Sequence, residues 1–192
     1  MRLECFSPCR EAGITYEEIL MINPASVAAL AVTTKDSLRG LELHHQSMRA
    51  ALEAHKAARV FVLELPEVDL GFWNKVILVG LAQASAANMI GILKRVFVSL
   101  EEWLPPVSAD YERDLVFQAH TAIAGLRPAV ISEKVRLGLL DVLEMKDLVG
   151  DDLPNDYPEG RAERWCEYIL EVEADFRKDV EGFLERLGTA LH

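Results

Sequence analysis

The histidines, and the charged residues spaced around them, are where this 192-residue chain could do chemistry. Glu42 stands three residues before His45, so a carboxylate and an imidazole would share one face of a helix. In four-helix bundles two such units, with two further glutamates, hold a pair of metal ions. The second unit is missing here. Phe117 stands three residues before His120, and Leu52 three before His55. A metal-binding bundle is therefore an alternative reading only, and no metal ligand is expected.

A second arrangement joins arginine to histidine. Arg39 with His44, Arg49 with His55 and Arg113 with His120 are each separated by four to six residues. In Arg113-Asp114…His120 the two ends fall on one helical face, where an arginine could stabilise phosphate charge while the histidine moves a proton. In this one motif the chain resembles all-helical ribonucleases of the higher-eukaryote-and-prokaryote nucleotide-binding (HEPN) class. The resemblance implies a ribonuclease acting through Arg113 and His120. Three hits in one chain show how permissive the spacing is, and the acidic charge opposes RNA binding over most of the surface.

Other chemistry lacks a motif. No glycine-rich phosphate loop, Gly-x-Ser-x-Gly elbow or Cys-x-x-Cys pair occurs. The acidic stretch Asp151–Glu159 lacks the alternating ligands and central glycine of a calcium loop. Cys5, Cys9 and Cys166 are odd in number, which argues against a disulfide framework and for a reducing, cytoplasmic setting. No catalytic set and no cofactor are expected.

The net charge of −11 points instead to a protein partner. It disfavours nucleic acid and anionic membranes, which bind through Lys and Arg. Asp147–His192 carries −8 of that charge. The expected function is a non-enzymatic binding module, an adaptor, inhibitor, immunity or accessory subunit, that docks a partner, basic if charge decides, through Glu163, Glu167, Glu171 and Asp175. Nothing in the chain indicates an oligomeric state.

The elements that position these residues are helices. After an irregular segment over residues 1–14, Thr15 and Glu18 make a capping box for a short helix ending near Asn23. Pro24 suits the first turn of another, through Val32. Thr33–Asp36 starts a long helix to about Arg59, with Leu38, Leu41, His45, Met48, Leu52 and His55 as a three-and-four-spaced seam. His45 and His55 hold seam positions where leucine would pack better, so they fix register or partner choice. Val60–Leu65 reads as helix or short strand.

Trp73–Leu104 organises the rest. Its 18 residues between Lys75 and Lys94 are uncharged, just long enough to span a membrane, but Gln83, Ser85 and Asn88 interrupt them. With Gly80, Ala84, Ala87 and Gly91 on one face and Leu78, Leu81, Met89, Ile92 and Val96 on the other, it reads as a buried axis. The glycine–alanine face is the expected site of closest helix contact. Pro105-Pro106 ends it.

Ser108 or Asp110 then opens a helix with the stripe Leu115, Val116, Ala119, Ala122, Ile123 and Leu126, broken by Arg127-Pro128. Pro128 or Ser132 begins another to about Lys146. An acidic, proline-containing loop over 150–160 precedes a last helix, Arg161–Leu187. The three tryptophans are expected in the core. The predicted fold is all-α: one domain over 1–192, a bundle of four long helices and two or three short ones with a buried central helix around 72–104.

Overall fold

In the computed structural model, residues 24–58, 70–100, 102–123, 127–150 and 160–189 are described. They form five helices: α1 (Pro24–Ala58), α2 (Leu70–Ser99), α3 (Tyr111–His120), α4 (Glu133–Gly150) and α5 (Arg161–Thr189). Among the described residues there is no strand beyond one isolated bridge between Ile123 and Arg127. The fold is an all-α bundle. The predicted elements at 15–23 and 60–65 and the loop over 151–159 fall outside the described residues.

Pro24 begins α1, where its missing N–H costs nothing. The expected break at Thr33–Asp36 does not occur, and one helix of 35 residues replaces two. Thr33 and Ser37 turn their hydroxyls back onto carbonyls of the preceding turn (Ala29 and Leu30, then Thr33), which removes them as caps. All six predicted seam residues of α1 are buried.

α1, α2 and α5 pack together, and α3 and α4 pair with one another and close against α2, with α4 also lying along α5. Contacts between α1 and α5 run in opposite senses: Glu42 meets Arg177, His45 meets Glu173, and His55 meets Glu163. Those helices are antiparallel. Contacts between α2 and α5 advance together, Leu78 with Cys166 and Ser85 with Glu173, so these two are parallel.

α2 is central, but the face predicted to make the closest contact points outward. Gly80 and Ala87 are exposed, and a Cβ on Gly80 would have nothing within 4 Å. Leu78, Ala82, Met89, Leu93, Val96 and Phe97 face the core instead. Among the described glycines the closest approach is elsewhere: a Cβ on Gly138 of α4 would lie 2.8 Å from the Val172 side chain of α5. By length and composition Asn74–Ser99 could cross a membrane, yet half of its most apolar window is buried within the bundle, as in a core helix.

The turns after α2 and α3 also depart from expectation. α2 stops at Ser99, well before Pro105, and the Glu102 N–H bonds back to the Phe97 carbonyl. Trp103, expected in the core, is 76% exposed, whereas Trp165 is buried. α3 stops at His120, so Ala122 and Ile123 are exposed and do not extend its stripe; Leu126 lies outside the described residues.

The cause is Arg127. Its side chain is fully buried, bonds to the carbonyls of Thr121, Pro128 and Gln118, and pairs with Glu102. Its guanidinium also lies 5.0 Å from the centre of the Phe97 ring. Holding so many acceptors on one cation draws Arg127 onto the carbonyls at the end of α3, which stops at His120. α4 then begins after Ser132, whose N–H is held by Asp179 of α5 at 2.7 Å.

Candidate functional site

Besides the Arg127 cluster, polar side chains among the described residues gather in the seam between α1 and α5 and in the cleft between α4 and α5. In the seam, His45 and Glu173 are both buried, with Nδ1 and Oε1 3.1 Å apart. That distance suits charge attraction, but the ring nitrogen is not aligned as a hydrogen-bond donor. The other Glu173 oxygen accepts from the Ser85 hydroxyl at 2.6 Å. Burial pushes the Glu173 carboxyl up to about 7, with the Ser85 bond pulling the other way. Burial, and next the positive charge of Arg49, push His45 below its usual value. Both shifts favour the uncharged forms.

Ten residues further along α1, His55 Nε2 stands 3.1 Å from Glu163 Oε1, again buried. His44 does different work: its Nε2 lies 2.8 Å from the Leu81 carbonyl and must donate, tying α1 to α2. Between the two histidine–glutamate pairs lies Cys166, whose thiol donates to the Leu78 carbonyl at 3.4 Å. Burial, and then the charges of Glu163 and Glu167, raise that thiol to about 12, so it is unreactive at neutral pH.

Glu163 and Glu173 were the residues hardest to place from sequence. Glu163 belonged to the expected docking surface, and the fold removes it from that surface by turning it inward onto His55. Glu173 is one of many charges along α5, and nothing in its own position marks it as buried. One signal was available: His45 and His55 are ten residues apart, and so are Glu163 and Glu173. Equal spacing on two antiparallel helices lets both pairs form at once.

The remaining docking residues are on the outside. Glu167 bonds to Lys56 at 3.0 Å, and Asp175 pairs with Lys134. Glu171 is exposed. Glu171 and Asp175 line a cleft of about 100 Å³ with Tyr168, Lys134 and Gly138. The Tyr168 hydroxyl donates to Asp141 at 2.8 Å. Burial and then that acceptor push the phenol up to about 12, so it remains a neutral donor.

Arg113 and His120 do share α3, two turns apart, but each has an acidic neighbour. His120 Nε2 is 3.2 Å from Glu133, and Arg113 lies 3.7 Å from Asp110. A phosphate at either would compete with a carboxylate. The Glu42-x-x-His45 unit is also divided, since Glu42 turns to Arg177 and Gln46 while His45 turns to Glu173. Among the described residues no group of three or more His, Cys, Asp or Glu is placed to hold a metal ion.

Comparison with known proteins returns no matching family model, no matching curated protein and no matching solved structure.

Proposed function

We propose that the protein is a non-enzymatic binding module, of the adaptor, inhibitor, immunity or accessory-subunit kind, that docks a basic segment of a partner protein along α5 beside α4. The observation that supports this is the cleft between α4 and α5 that Glu171 and Asp175 line together with Lys134, Tyr168 and Gly138. Glu167 continues the same face one turn earlier. Exposed pairs such as Asp175–Lys134 and Glu167–Lys56 are worth little in water, so an incoming lysine or arginine can replace the internal cation at small cost. Glu163, being buried, takes no part.

The test is affinity purification at low salt of wild type beside the double variant Glu171→Lys, Asp175→Lys. The expected result is a co-purifying protein that the variant loses and that rising salt releases from wild type, with an unchanged helical circular-dichroism spectrum. The same partners on both proteins would remove this acidic face as the docking surface.

A further inference from the structure

The seam between α1 and α5 contains a group the docking function does not use. Glu173 is 0% exposed, on a helix whose inward face is apolar apart from Glu163, which has His55 as its partner. We propose that this seam is a proton-operated latch: the bundle is closed while the His45–Glu173 pair holds one proton, and α1 loosens from α5 when that proton is lost.

The geometry leaves the resulting carboxylate without a cation. From α1, the facing groups are His45 itself, Glu42, which is bound to Arg177, and Arg49, which is exposed. Burial, and then the charge of Arg49, disfavour a positive charge on His45, so the ring is a poor source of the missing cation. His44 is committed to the Leu81 carbonyl of α2. From α5, Arg177 is taken by Glu42, and the Cys166 thiol stays neutral. α2 is free of charge between Lys75 and Lys94 and offers only the Ser85 hydroxyl. α4 packs on α5, but its Lys134, Asp141 and Glu144 are exposed, and Lys134 and Asp141 are held by Asp175 and Tyr168. His55 and Glu163 pair with each other at the far end of the seam.

A buried carboxylate with one hydroxyl donor and no cation is costly. Separating α1 from α5 admits water and removes that cost. With the carboxyl held near 7, the transition falls between about pH 6 and pH 8.

Cys166 reports the opening, because it is wholly buried on α5 between Glu163 and Glu173, with its thiol on the Leu78 carbonyl of α2. In a Cys5→Ser, Cys9→Ser background, thiol-labelling rates are compared with and without Glu173→Gln from pH 6 to pH 8.5. The intrinsic reactivity of the thiol cancels in the ratio of the two rates. The expected result is a ratio that rises at least about tenfold across that range. A ratio that stays flat, or a thiol that never labels, overturns the latch. If the glutamine variant does not fold, amide hydrogen exchange of wild type decides. After correction for base catalysis, protection of 38–55 is expected to fall at least about tenfold relative to α4 between pH 6 and pH 8; equal changes in both helices overturn the proposal.

Discussion

Replacing Arg127 by methionine tests the strongest single cluster in the fold. The substitution keeps an unbranched chain and removes the guanidinium. It leaves the Glu102 carboxylate, whose side chain is only 5% exposed, without its cation, and it strips a donor from the carbonyls of Thr121, Gln118 and Pro128. Removing one partner of a buried ion pair costs about 3–5 kcal/mol. The cation over the Phe97 ring adds about 0.5–2 kcal/mol. The carbonyl of exposed Thr121 recovers part of its loss from water. A net cost of about 4 kcal/mol follows, against a total stability of about 5–15 kcal/mol for a domain.

Urea unfolding followed by circular dichroism measures the loss directly. The double variant Glu102→Gln, Arg127→Met removes the stranded charge as well. It is expected to recover about 2 kcal/mol relative to the sum of the single variants. A loss below about 1 kcal/mol for Arg127→Met, or strictly additive effects in the cycle, would refute Arg127 as the organiser of the α2–α3–α4 junction.

Two glycines should respond with opposite signs. Gly138→Ala places a methyl 2.8 Å from Val172, a β-branched side chain with one preferred rotamer in a helix, and is expected to cost about 1 kcal/mol or more in thermal or urea unfolding. Gly80→Ala meets nothing within 4 Å and gains about 1 kcal/mol from helix propensity alone; a loss there would mean that another chain or segment covers that face. Glu173→Gln should flatten part of the stability–pH curve. The folded carboxyl keeps its proton to about 7 while the unfolded chain releases it near 4.5, so wild type loses stability as pH rises through that window. The variant is then more stable than wild type by about 3 kcal/mol above pH 7, and equal to it below pH 4. The His45 shift runs the other way, towards greater stability as pH rises towards the ordinary histidine range.

What was legible in the sequence was the set of faces. The three-and-four spacing from Leu38 to His55 places those residues on one side of a helix whatever surrounds it, and all six are buried. On α4, the similarly spaced Val135, Leu139, Val142 and Leu143 are buried and Met145 is half-buried; on α5, Trp165, Cys166, Ile169, Phe176, Val180, Phe183, Leu184 and Leu187 are buried. Spacing also grouped Gly80, Ala84, Ala87 and Gly91 correctly on one face of the uncharged helix. It could not say which way that face would point, because both faces were apolar and the neighbours' positions decide between them.

Charge was the other quantity spacing could not resolve. Arg127 read as the place where a helix breaks, and Glu163 as part of an acidic surface, since a charged side chain in isolation prefers water. Each is buried because complementary groups on other elements enclose it: Glu102 and several carbonyls for Arg127, His55 for Glu163, and His45 with Ser85 for Glu173. Those partners come from other turns and helices, as far as 128 residues away in the chain for His45 and Glu173, which the packing of α1 on α5 brings within 3.1 Å. The sequence by itself determined the helices and most of their inward faces. The tertiary structure alone decided which charges are buried, because the energy of a buried charge depends on the partner it meets and not on its own position along a helix.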